Sequence, residues 1–138
     1  MALNSRAKGQ RAERQAIGLL QPIVDKVYTE LGLPVPSLER NLMQSMKGGY
    51  DIIGVDWMAL EIKHHETLHL DAWWEQTVRQ AGNDKTPVLM YKKNRTSWSV
   101  ILRVFVQSEQ NKVRCPGIIS IESFLVWFEL QLKQKATK

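Results

Sequence analysis

Glu61-Ile62-Lys63 is an acid, one apolar spacer and a lysine, and a second acid, Asp51, stands ten residues earlier. In an extended strand successive side chains alternate between faces. Glu61 and Lys63 therefore project together, while Met58, Leu60 and Ile62 point the other way. Phosphodiester hydrolysis needs an activated water, charge neutralisation on the pentacovalent phosphate and help for the departing oxygen. A magnesium ion held by carboxylates and carbonyls, with manganese as its substitute, supplies much of this and keeps waters and the phosphate as its other ligands. Asp51 and Glu61 are the candidate ligands, with the Ile62 carbonyl as a third. Lys63 would orient or deprotonate the attacking water. Glu13, from the first helix, would hold a metal-bound water or a second metal.

Each of these residues has a plainer explanation. An acid-x-lysine triplet is common on exposed strands, Asp51 after Gly48-Gly49 could be a turn acid, and Glu13 could be a first-turn acid favoured by the helix dipole. Their conjunction carries the weight. Taking 100° per residue from Glu13, the residues Ala16, Ile17, Leu20, Ile23, Val24, Val27, Tyr28 and Leu31 fall within roughly 140° of arc. Glu13 sits in the middle of that arc, and an inward carboxylate is costly unless something receives it. Pro22 lies on the opposite side and should kink the helix rather than end it.

The elements that must position these groups can be read in order. Residues 6 to 31 form a helix. Leu38 to Met46 is a strand or short helix, Lys47-Gly48-Gly49 a turn, and Tyr50 to Val55 with Trp57 to Lys63 an antiparallel hairpin. A two-residue turn at Val55-Asp56 would pair Asp51 with Leu60 and put it on the wrong face. An odd turn centred near Asp56, or a bulge, brings Asp51 opposite Glu61, and we expect that register. Asp71 resembles an N-cap for a helix from Ala72 to Ala81 closed by Gly82. Pro87 to Lys92 and Ser97 to Val106 are strands, a short strand lies near Gly117 to Ile119, and Ser120 caps a last helix. Its core stripe is Ile121, Phe124, Leu125, Phe128 and Leu132. Val126, Trp127 and Leu130 make it apolar nearly all round, which hints at a subunit contact. The expected fold is α/β, one domain over residues 1–138 with a central mixed sheet flanked by helices.

The net charge of +5 and pI near 9.5 favour an anionic partner. Arg6, Lys8, Arg11 and Arg14 crowd the first helix, Arg40 and Lys47 precede Asp51, and Lys92, Lys93 and Arg95 cluster later. Basic groups on both sides of the candidate site suit a phosphate backbone better than a membrane surface. No apolar run reaches the ~20 residues of a membrane span and no signal peptide is visible. Cys115 is alone, so a reducing cytoplasm is expected. His64 and His65 could contact phosphate, as could Gln44 and Ser45. His65 and His69 have the i, i+4 spacing of helical zinc ligands, with no cysteine near. Trp73 and Trp74 read as core more readily than as a base-stacking platform.

The chain resembles the PD-(D/E)xK nuclease superfamily, and within it the archaeal and phage Holliday-junction resolvases. The matching pieces are Lys8-Gly9-Gln10-Arg11-Ala12-Glu13-Arg14, Gly49-Tyr50-Asp51-Ile52-Ile53, Leu60-Glu61-Ile62-Lys63, and the helix Trp73 to Ala81 followed by Pro87-Val88-Leu89-Met90-Tyr91. Residue 50 is Tyr where the motif's name has Pro. The resemblance implies a restriction-endonuclease-like αβββαβ core and magnesium-dependent cleavage by Asp51, Glu61 and Lys63, assisted by Glu13. It also implies that Gln76 lines the site, with Arg79 nearby on the DNA side, and that the protein is a homodimer resolving four-way DNA junctions in recombination and repair. For a phage protein the compartment is the host cytoplasm. Other nucleases of this fold, acting on flaps, ends or specific sites, and a silent DNA-binding module are the alternatives. The intact acid-acid-lysine set argues against the last.

Overall fold

Why these segments fold as they do is clearest from which side chains are buried in the computed structural model, which describes residues 2–43 and 49–137. Helix α1 spans Ala2–Glu30. Ala12, Ala16, Leu20, Val24 and Val27 are its buried stripe, at the three- and four-residue spacing of one helical face. Pro22 lies inside α1 and is exposed, on the side expected. The helix starts earlier than its apolar pattern suggests, and Leu31 falls beyond its end and is exposed.

Two short strands follow, β1 (Glu39–Arg40) and β2 (Ile52–Ile53), then β3 (Met58–His65), helix α2 (Leu70–Ala81), β4 (Thr86–Lys93), β5 (Ser99–Gln107), β6 (Lys112–Ser120) and helix α3 (Ile121–Ala136). Among the described residues the six strands lie in chain order, and only β3 and β4 run parallel, joined by the α2 crossover. The first six described elements therefore run αβββαβ in a mixed sheet, the restriction-endonuclease-like arrangement. The sheet is layered between helices. On one face Leu60, Ile62, Val88, Met90 and Val100 pack against α1 and α3. On the other, Leu89, Tyr91 and Ile101 pack against Trp73 of α2. Val88 to Tyr91 is consequently buried on both faces, as a central strand requires. Trp73 is core as expected, and Trp74 packs at its margin.

Three boundaries differ from expectation. Asp71 is not the N-cap of α2: His69 occupies that position without a side-chain cap, and Asp71 sits in the first turn, where it favours the helix dipole. The helix begins sooner because Leu70 packs with the second cluster. Of the stretch read as Leu38 to Met46, the described part holds β1, and residues 44–48, including Gln44, Ser45 and Lys47, lie outside the described residues. The strand expected near Gly117 to Ile119 lies within the second half of nine-residue β6. Ser120 does cap α3, its hydroxyl accepting the Ser123 N–H at 3.1 Å. In α3 Ile121, Phe124, Phe128 and Leu132 are buried and Leu125 half-buried. Trp127 stacks edge-on to Trp57 at 6.0 Å, whereas Val126 and Leu130 are exposed. Among the described residues no helix is long and apolar enough to cross a membrane.

Candidate active site

The β2–β3 hairpin sets the site. Ile52 is the partner of Leu60, the odd register centred on Asp56, and Asp51 stands just ahead of β2. The Asp51 N–H also donates to the Leu60 carbonyl at 3.0 Å. Asp51 and Ile52 thus both address Leu60, as in a β-bulge. Gly54 makes the turn possible. Its φ is +125°, and a Cβ there would meet the Ser37 carbonyl oxygen at 2.5 Å. Asn41, from the end of β1, ties the strand's entrance. Its N–H donates to the Asp51 carbonyl at 2.8 Å and its side-chain amide to the Tyr50 carbonyl at 2.9 Å.

Asp51 is buried, and its Oδ2 accepts the Ile62 N–H at 2.8 Å. N–H and C=O of one strand residue point to the same side, so the Ile62 carbonyl also turns toward the β2 edge, beyond the end of that short strand. Glu61 is only 1% exposed. It shares the sheet face of its β4 partner Leu89, the face covered by α2. Neither Glu61 oxygen reaches a hydrogen-bond partner, although a hydrogen bond with Asp51 counts among the causes that raise its pKa. Both observations agree on proximity, and repulsion between two carboxylates needs nothing more. Burial first, then the Asp51 charge, push the Glu61 carboxyl from its ordinary 4.5 to about 9, with Lys63 pulling back and Glu13 adding to the rise. The two acids and the lysine therefore converge rather than diverge.

Glu13 reaches this cluster from α1, and its inward position is met by a cation. Arg40 Nε donates to Glu13 Oε1 at 2.7 Å, with both side chains largely buried. Burial still raises the Glu13 carboxyl, against the Arg40 hydrogen bond and with the help of the Asp51 charge. Arg40, expected on the DNA side, is thus held by Glu13. Nothing in its sequence neighbourhood announced that pairing, 27 residues apart.

The other basic residues gather at the far end of β3. His64 is pushed below the usual histidine range by burial and by Lys92, Lys8, His65 and Arg11. His65 is lowered by burial, Lys63, Lys8 and His69. Lys8 and Arg11 of α1 therefore stand near the strand that carries Glu61, joined by Lys92, which the register sets directly beside His64. Arg14 is close enough to lower Glu13. Arg6, Arg11, Arg14 and Arg79 are exposed, and none of them forms an ion pair among the described residues. Gln76 is half-buried on α2, one position from buried Thr77, and no hydrogen bond joins it to the carboxylates among the described residues. His65 and His69 flank Trp73, with ring centroids 5.0 and 5.9 Å away. They sit at a strand end and a helix cap rather than on one helix, so the helical zinc pattern does not arise.

The cluster suits a hard divalent cation. A buried carboxylate with both oxygens unpartnered and lifted by a neighbouring acid is relieved by positive charge. Among the described residues no three Asp, Glu, His or Cys groups close into a cage.

Residues 4–116 match the family model described as "Phage putative PDDEXK endonuclease", a stretch that includes Glu13, Asp51, Glu61 and Lys63. No curated protein and no solved structure gives a match. The chain belongs to that endonuclease family, and so to the PD-(D/E)xK nucleases.

Proposed function

We propose that this PDDEXK-family nuclease is one catalytic domain that cuts DNA with magnesium, and that its preferred substrate is the four-way junction. The observation that carries the reading is the buried, unpartnered Glu61 carboxylate beside Asp51 and Lys63. Asp51, Glu61 and the Ile62 carbonyl would hold the ion, which supplies Lewis-acid stabilisation of the phosphate and a more acidic water when bound. Lys63, on the same face as Glu61, orients the attacking water and offsets phosphate charge. Glu13 is steered by Arg40, and holds a water at the inner edge of the cluster. Lys8, Arg11, Arg14 and His65 receive the DNA backbone, with Arg6, Gln76 and Arg79 along its path.

The junction preference rests on the order of the four motif pieces, which is that of the junction resolvases. Two copies would act, one on each strand, and the exposed Val126 and Leu130 of α3 offer apolar surface for pairing. The cytoplasm of an infected host is the setting this implies. The test is incubation of labelled four-way junction, nicked duplex and linear duplex with magnesium, sized on denaturing gels. Paired symmetric nicks on the junction alone are expected, and they should vanish with Glu61→Ala or Asp51→Ala while binding persists. Equal cutting of linear duplex would leave a nuclease without junction selectivity. Magnesium-dependent nicking by clean Glu61→Ala protein would overturn the site.

A further inference from the structure

Strand β5 pairs with β4 only over Ser99–Ile101 but with β6 along all nine residues from Ser99 to Gln107. Beyond Ile101 β5 keeps β6 as its strand partner, and past Val104, which packs at the margin of the core, the two strands project as an exposed ribbon. All ten residues from Phe105 to Arg114 are exposed. An isolated two-stranded ribbon is marginal in water, so one exposed this fully calls for a partner. Its two faces differ. The register places Arg103, Phe105 and Gln107 with their partners Pro116, Arg114 and Lys112 on one face. That face carries three cations, one aromatic ring and one amide, with no acid. Lys112 Nζ lies 4.2 Å from the Phe105 ring centroid. The opposite face holds Val104, Val106, Val113 and Cys115 and no charge.

The cationic face is also the face of Glu61. Glu61 pairs with Leu89, and Leu89 with Ile101, whose parity Arg103 and Phe105 share. From strand geometry, Phe105 lies roughly 13 Å along the sheet and roughly 10 Å across it from Glu61. Both fit within one turn of B-DNA, about 34 Å. A two-stranded ribbon is also a shape that the major groove admits.

We propose that the β5–β6 ribbon is a second DNA-contact arm, its Arg103, Lys112 and Arg114 holding backbone phosphates that flank the bond cut at Glu61. The proposal rests on the nuclease reading and adds to it a contact outside the catalytic cluster. For the cationic face, charge complementarity selects DNA over a second copy of this chain, because two such faces would repel each other.

The test is DNA binding across a salt series, in chelator, by fluorescence anisotropy. R103Q/K112Q/R114Q should bind at least ~10-fold more weakly at moderate salt. Its log–log salt slope should be shallower by about 2 to 3, one counterion term for each lost phosphate contact. The milder K112Q/R114Q pair should lose about 2, which guards against a folding defect in the triple variant. V106S/V113S should leave the slope unchanged. A parental slope in both charge variants overturns the proposal. So does a V106S/V113S protein that loses self-association and DNA binding together while the charge variants bind normally, which would make the ribbon a subunit interface. If the unaltered chain binds no DNA at any salt, the nuclease reading itself falls.

Discussion

Glu61→Gln isolates the electrostatic cost stored at the site. In the metal-free fold the Glu61 carboxyl titrates at about 9 rather than 4.5, because of burial and then the Asp51 charge. For an acid raised on folding, the folded state keeps a proton that the unfolded chain has released. Stability therefore falls as pH rises from 4.5 towards 9: the cost is absent below that window and complete above it. At about 1.4 kcal/mol per pH unit, the penalty is roughly 3 kcal/mol at pH 7 and roughly 6 kcal/mol at pH 9 and above. Gln keeps the shape and never ionises. The melting temperature of Glu61→Gln minus that of the parent, measured in chelator, should therefore grow between pH 6 and pH 8.5. The gain is about 3 kcal/mol, or roughly 10 °C for a chain of this length. Magnesium should stabilise the parent increasingly over the same range, since the ligand must be ionised to bind, and should leave the variant's melting point nearly unchanged. A melting-point difference flat across pH would refute the reasoning, because it would mean Glu61 is neither desolvated nor crowded by Asp51.

Gly54→Ala should destabilise by about 2 kcal/mol or more, since a Cβ there would meet the Ser37 carbonyl at a positive φ. Denaturant unfolding checks it, and a neutral result would mean that the hairpin turn is not as described. Lys63→Ala should slow single-turnover cleavage by roughly a hundredfold or more while magnesium binding by calorimetry persists. Loss of binding instead would make Lys63 structural. Arg40→Ala should raise the Glu13 carboxyl further by removing its hydrogen bond, shifting the acid limb of the cleavage profile upward in pH; an unmoved limb would place Glu13 outside the reaction. Arg11→Gln with Arg14→Gln should flatten the salt slope of DNA binding by about 2, and an unchanged slope would exclude both as phosphate contacts.

The hairpin register was legible because alternation leaves few choices. One pairing puts Asp51 away from Glu61, the other beside it, and only the latter gives two acids a reason to coexist in one short hairpin. The α1 stripe was legible for a similar reason, since Ala16, Leu20, Val24 and Val27 repeat at helical spacing and are all buried. What received Glu13 was not. Arg40 is one of many cations in a basic chain, and its pairing depends on how β1 crosses α1, which no local pattern encodes. The length of β6 was not read: the expected strand lay near Gly117 to Ile119, whereas β6 begins at Lys112 and runs through Pro116. An edge strand tolerates a residue with no N–H to give, and β6 ends the sheet.

The same edge position explains why the ribbon's chemistry went unread. Periodicity finds residues that face a core, and from Phe105 to Arg114 there is no core to face. Arg103, Lys112 and Arg114 look scattered in the sequence. They become one surface only when antiparallel pairing sets Arg114 against Phe105 and Lys112 against Gln107. The catalytic acids posed the opposite case. Burying Glu61 without a hydrogen-bond partner is unfavourable for the fold alone, so the sequence keeps at the site a residue that packing would replace with an apolar one. A carboxylate in that position makes physical sense when a cation completes it, and the stability of the apo protein against pH measures how strongly that cation is wanted.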